Sequence, residues 1–137
     1  MKDGFRPRIL LVDDEVEVLD GLRRILRFDF EVTIATGAEE ALKLVASEGP
    51  YEVVVSDLRM PGVDGINLLA GIRKAAPRSV RILLTGYGDV EAAIAAVNQG
   101  HVFRFLTKPC PRWILLRALH DSVKEYGLDT ANHTARG

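Results

Sequence analysis

A chain of 137 residues, 47% hydrophobic and 27% charged, fits one soluble globular domain with a buried core. With 18 basic and 19 acidic residues the net charge is -1, which excludes a global field drawing the chain to nucleic acid or a membrane surface. The single cysteine, Cys110, excludes an internal disulfide and a cysteine zinc cluster; no apolar run approaches the roughly 20 residues of a membrane span, and Met1-Lys2-Asp3-Gly4 opens no signal peptide, so a cytoplasmic location is expected.

Residues 1–7 form a short extension before the first patterned segment. The apolar run 9–12 reads as a strand and ends in Asp13-Asp14. A helical spacing follows, with Val18, Leu22, Ile25 and Leu26 on one face. Asp14, Glu15 and Glu17 stand at its start and Arg23, Arg24 and Arg27 near its end, the order that complements the helix dipole. A second strand at 32–35 precedes a helix at 38–48, stopped by Gly49-Pro50. The third strand, 53–55, runs on to Asp57 and then turns through Met60-Pro61-Gly62 into a helix at 64–75, with Pro77 beyond it. The fourth strand, 80–84, meets Thr85, and a helix at 89–99 ends at Gly100. In that helix the spacing places Val90, Ile94 and Val97 inward, and Glu91, Ala92, Ala95, Asn98 and Gln99 outward. A fifth strand at 103–106 leads through Thr107-Lys108-Pro109 to a last helix at 111–126. Residues 127–137 lack a periodic pattern and read as a tail or the stub of a linker, leaving 8–126 as the domain.

Five strands alternating with five helices imply an α/β fold, a doubly wound parallel sheet covered on both faces. All carboxyl ends of such a sheet share one edge, where open α/β proteins bind ligands. Asp13, Asp14, Asp57, Thr85 and Lys108 all fall at strand ends and so converge there. Helix capping accounts for Asp13 or Asp14 alone, but not for five such residues at one edge. Carboxylates held close raise one another's pKa unless cations offset them. Lysine supplies one charge, and the remaining excess suits Mg²⁺, a cation that takes oxygen ligands and keeps several waters. A carboxylate beside metal, ammonium and hydroxyl is a place to receive a phosphoryl group.

Other features point to ordinary roles. Gly86-x-Gly88 follows a strand and precedes a helix, as in a dinucleotide-binding turn, but Glu91 holds the third glycine position. That weakens a dinucleotide-binding enzyme as the reading; Gly86 instead leaves room beside Thr85 for a phosphodonor. His101, His120 and His133 lack metal-ligand spacing and read as surface or structural residues. Cys110 lies between two prolines and is expected to pack rather than react, and Trp113 is expected to pack at the edge of the last helix.

Four stretches taken in order, "ILLVDDE", "SDLRMPGVDG", "ILLTGYGD" and "FRFLTKP", make the chain resemble a two-component response-regulator receiver domain over residues 8–126. The resemblance implies a flavodoxin-like fold with strand order 2-1-3-4-5 and phosphorylation of Asp57 by a histidine kinase or phosphotransfer protein. It implies Mg²⁺ on Asp14, Asp57 and the main-chain carbonyl of Arg59, with Asp13 acting through water. It places Thr85 and Lys108 on the phosphoryl oxygens, makes the Lys108-Pro109 bond cis, and gives Phe105 the aromatic switch position. A signalling protein is implied, not an enzyme acting on an external substrate. The chain would stand alone or serve as input module to a phosphodiesterase or DNA-binding output, with no direct contact to nucleic acid of its own. Receivers commonly dimerise or signal through the helix at 89–99, the fifth strand and the last helix, so a homodimer through that face is expected.

Overall fold

The computed structural model describes the backbone of residues 6–136 and the side-chain surroundings of residues 6–128. Strands β1 (Arg8–Val12), β2 (Glu31–Ala35), β3 (Val53–Asp57), β4 (Val80–Thr85) and β5 (Arg104–Thr107) alternate with helices α1 (Val16–Leu26), α2 (Ala38–Glu48), α3 (Gly65–Ala75), α4 (Val90–Asn98) and α5 (Arg112–Arg136). The strands form one parallel sheet in the order β2-β1-β3-β4-β5, as expected. Chain reversal of the order at β1 and β3 opens the carboxyl edge between them, where a doubly wound sheet has its crevice.

Side-chain alternation along each strand feeds two separate cores. Leu10, Val12, Val54 and Leu83 face α2, α3 and α4, packing with Ala41, Leu68, Leu69, Ile72, Ala93 and Ala96. Ile9, Leu11, Val53, Val55 and Ile82 face α1 and α5, packing with Leu19, Leu26, Leu115, Ala118 and Leu119. β3 lies in the middle and is buried along its whole length, which is why it reads as unbroken valine rather than as alternation.

Three local expectations are corrected. In α1 the inward residues are Leu19 and Leu26 with Leu22 half-buried, whereas Val18 and Ile25 are exposed. In α4, Ala93 and Ala96 are the buried residues, Val90 and Val97 flank them half-buried, and Ile94 is exposed. Small residues are selected there because the helix lies close to the sheet, so the largest side chains are pushed to its rim. Trp113 does not pack: it is 67% exposed on the first turn of α5. The other outward assignments in α4 hold, with Glu91, Ala92, Ala95, Asn98 and Gln99 all exposed.

α5 continues to Arg136, through most of the stretch that the sequence pattern leaves aperiodic. A helix already anchored by Leu115, Ala118 and Leu119 needs no second nucleation, so it propagates without an apolar stripe of its own. Most of the short N-terminal extension, His133's side chain and Gly137 lie outside the described residues. Among the described residues no helix is long and apolar enough to cross a membrane.

Candidate functional site

Backbone hydrogen bonds carry the sheet one residue beyond its strands and so fix the residues that follow. Asp13 N–H donates to the Ala35 carbonyl at 3.2 Å, Leu58 N–H to the Leu84 carbonyl at 2.9 Å, and Lys108 N–H to the Thr85 carbonyl at 2.8 Å. Side chains at the strand ends are therefore held by neighbouring strands rather than by their own loops. The Lys108-Pro109 bond is cis.

Four of the five expected strand-end residues meet. Carboxylate oxygens of Asp13, Asp14 and Asp57 lie within 4.8 Å of one another. Lys108 Nζ stands 2.7 Å from Asp57 Oδ1 and 3.7 Å from Asp13 Oδ2. Asp13 and Asp57 are only 3% and 7% exposed, whereas Asp14 faces solvent. Asp13 Oδ1 also accepts the Glu15 N–H at 2.9 Å, so Asp13 ties α1 to the cluster. Thr85 is buried, and its hydroxyl donates to the Gly86 carbonyl at 3.2 Å. Space beside Gly86 is open, since a methyl group there would meet no atom within 4 Å. Phe105 on β5 is half-buried and packs against the core shared by α3 and α4.

The loop after Asp57 is built from an alternation that its sequence hides. Leu58 and Met60 are buried, so Arg59 between them is turned outward. Gly62 adopts a φ of 79°, the left-handed region that a side chain rarely tolerates, and so the turn requires glycine. Arg59 Nε donates to Asp89 Oδ2 at 3.0 Å, and Arg59 Nη2 pairs with Asp89 Oδ1. Sequence reasoning missed this partner, since nothing in the spacing of residues 59 and 89 marks them as neighbours.

Burial is the largest influence on Asp13 and pushes its carboxyl above the ordinary value of 3.8. The charges of Asp57 and Asp14 push the same way, against the Glu15 N–H and Lys108. Burial by itself pulls the Lys108 ammonium down, but its hydrogen bond to Asp57 and the charges of Asp57, Asp13 and Glu15 together hold it above 10.5. Cys110 is pushed up by burial and packs beside Ile114, as a structural thiol does.

A prediction follows for Asp13. A carboxyl whose folded pKa is raised favours the folded state below the ordinary value of 3.8, and that contribution is lost as pH rises through the raised folded value. Asp13→Asn therefore raises the Tm of metal-free protein at neutral pH, and the gain disappears in acid. Thermal unfolding across pH in chelator checks it; a variant less stable than the parent at neutral pH contradicts the sign.

The three acidic groups offer only hard oxygen donors, and their net charge exceeds what Lys108 offsets, so the donor set fits a small divalent cation such as Mg²⁺. His101 and His120 lie away from this cluster: the carbonyl of His101 accepts from Arg81 Nε, and the His120 ring packs at a tilt against Phe30.

Comparison with known proteins agrees with this geometry. The family model described as response regulator receiver domain matches residues 9–120. The chain is 36% identical to the hydrogenase transcriptional regulatory protein HoxA of Bradyrhizobium diazoefficiens, over 93% of this chain and 26% of that protein. It is 38% identical to the transcriptional regulatory protein GlrR of Escherichia coli, over 85% of this chain and 26% of that one. The chain thus spans about a quarter of the length of these curated relatives. A crystal structure described as adenylate cyclase from Rhodopirellula baltica superposes with a TM-score of 0.93 at 41% identity, covering 96% of this chain and 97% of that one. The response regulator receiver domain protein of Clostridium thermocellum superposes with a TM-score of 0.83 at 32% identity, covering 89% and 98%. With its sheet order, its acidic edge and these matches, the chain belongs to the response regulator receiver domains of two-component signalling.

Proposed function

We propose that Asp57 is the phosphoacceptor, and the observation that carries this is its buried carboxylate held 2.7 Å from Lys108 Nζ inside the three-aspartate cluster. An Asp57 oxygen attacks the phosphorus of a phosphohistidine on a kinase or phosphotransfer protein. The phosphorus–nitrogen bond breaks, and the electron pair leaves with the imidazole, which then takes a proton. Lys108 stands 2.7 Å from the attacking carboxylate and stays beside the oxygens of the incoming group. Asp14, Asp57 and the main-chain carbonyl of Arg59, with Asp13 through water, would hold Mg²⁺, which supplies positive charge to the phosphoryl oxygens. The open space at Gly86 admits the donor. Water later cleaves the acyl phosphate, releasing inorganic phosphate and restoring the carboxylate, so the chain turns over no external substrate.

The test uses acetyl phosphate with Mg²⁺ and reads intact mass followed by peptide mapping. One phosphoryl group on the peptide holding Asp57 supports the assignment, and a group mapped to any other residue removes it.

Phosphate on Asp57 gives the Thr85 hydroxyl a charged acceptor in place of the Gly86 carbonyl. A charge-assisted hydrogen bond contributes about 1.5–3 kcal/mol, and roughly 1.4 kcal/mol shifts an equilibrium tenfold. Inward movement of Thr85 leaves space for Phe105, whose motion remodels the neighbouring faces of α4, β5 and α5. Exposed Ala92, Ile94, Ala95 and Trp113 supply apolar contact on α4 and the start of α5, and we place a phosphate-dependent homodimer or output contact there. Thr85→Ala is expected to accept phosphate normally but to lose most of the phosphate-dependent rise in association measured by sedimentation. Full association of the phosphorylated variant excludes the hydroxyl as the link.

The protein acts in the cytoplasm as the input module of a longer regulator. A transcriptional output is favoured by the names of HoxA and GlrR, of which this chain spans about a quarter. A catalytic output is the second reading, favoured by the 41% identity to the chain described as an adenylate cyclase.

A further inference from the structure

The Arg59–Asp89 pair bridges the two loops on either side of the carboxyl edge. Arg59 follows Asp57 by two residues, and Asp89 follows Thr85 by four, closing the 3₁₀ turn Tyr87–Asp89 that leads into α4. The guanidinium engages both carboxylate oxygens, a fork geometry that holds more firmly than a single contact. The Arg59 side chain is 78% exposed, whereas that of Asp89 is 17% exposed with the guanidinium lying against it. Asp89 also stands at the N-cap position of α4, and its side chain makes no capping hydrogen bond. Aspartate is among the strongest N-cap residues, so here the capping group is diverted to Arg59.

We propose that Arg59 is a phosphoryl-binding residue held in reserve by Asp89: phosphorylation of Asp57 draws its guanidinium onto the phosphoryl oxygens, and the freed Asp89 carboxylate then caps α4. The inference rests on Asp57 as phosphoacceptor. An acyl phosphate two residues from Arg59 carries more negative charge than one carboxylate and offers paired acceptor oxygens that the planar guanidinium fits. Departure of Arg59 would free the Asp89 carboxylate, which stands at the N-cap position of α4 beside the first N–H groups of that helix. The exchange would reorder the first turn of α4 without needing Thr85. It adds a second link between the phosphoryl group and the face carrying Ala92 and Ala95.

The experiment combines phosphoryl uptake from acetyl phosphate, followed by intact mass, with amide hydrogen exchange in the first turn of α4, residues 90–93. Wild type, Asp89→Asn, Arg59→Gln and the double variant are compared. Asparagine still caps a helix but does not hold the guanidinium as a charged fork does. Asp89→Asn is therefore expected to show protected first-turn amides before any donor is added, and to take up phosphate several-fold faster. Arg59→Gln is expected to take it up several-fold more slowly, and adding Asp89→Asn to it should restore nothing. In wild type the protection should appear only on phosphorylation. Single variants that move the uptake rate in the same direction would overturn the exchange, as would Asp89→Asn acting equally well without Arg59. Uptake that persists in Asp57→Asn would instead remove the acceptor assignment, and the exchange with it.

Discussion

Asp57→Asn is expected to take up no phosphoryl group from acetyl phosphate in the presence of Mg²⁺. An amide has no anionic oxygen to attack phosphorus, whereas the shape of the side chain is unchanged, so the loss should be complete rather than partial. The fold should survive, because the substitution leaves β3 paired on both sides with β1 and β4, and Lys108 keeps Asp13 within 3.7 Å. The Lys108 ammonium loses the stronger of its two ion pairs, so its pKa should fall from its raised position. Intact mass with and without donor reads the first effect, and titration of the Lys108 Nζ by NMR reads the second. Phosphate uptake equal to that of the parent would mean that another group at this edge is the acceptor.

Gly65→Ala is expected to damage both stability and phosphorylation, although residue 65 touches no phosphate. A Cβ at this position would clash with the Asp57 carbonyl oxygen and lie 2.9 Å from its carbon. These are backbone atoms of the central strand and cannot swing aside as a side chain can. Gly65 N–H also donates to the Leu58 carbonyl at 2.8 Å, which fixes the first turn of α3 against the end of β3. Asp64 caps the same turn by accepting from the Asn67 N–H at 2.8 Å, so the helix start has little freedom to retreat. Overpacking of this kind costs about 1–3 kcal/mol, which amounts to a fall of several degrees in Tm for a domain of this size. Any relief obtained by shifting β3 displaces the Asp57 carboxylate from Lys108, and phosphoryl uptake should slow with it. Thermal unfolding and uptake kinetics on the same preparation check both parts. A variant with parental Tm would show that α3 moves away freely.

Some of the local structure was harder to read than the site. α1 carries apolar residues on more than one side, so spacing alone assigned Val18 and Ile25 inward along with Leu22 and Leu26. Which of them is buried depends on how α1 lies against the sheet on its β2 side, and that placement puts Leu19 and Leu26 inside. α4 misled for a related reason. Helical spacing favours the largest apolar residues for the interior, but the close approach of α4 to the sheet leaves room only for Ala93 and Ala96. Aromatic residues usually bury their area, so sequence alone favours packing for Trp113. It sits one residue before the first inward positions of α5, at an azimuth where no element covers it.

The sheet order and the acidic edge could be reached from the sequence because they depend on pattern and chain order. Period-two and unbroken apolar runs specify strands, parallel crossovers are right-handed, and all strand ends then fall on one side. Asp13, Asp14, Asp57 and Lys108 converge as a consequence of topology, and Thr85 ends the neighbouring strand at the same edge. Tertiary structure alone decided the pairing of Arg59 with Asp89, the burial of α4 through alanines and the contact that makes Gly65 irreplaceable. Each of these depends on the distance between elements far apart in the chain. Sequence periodicity records which face of a helix or strand is apolar, but not how closely that face approaches its neighbour or which charge lies opposite.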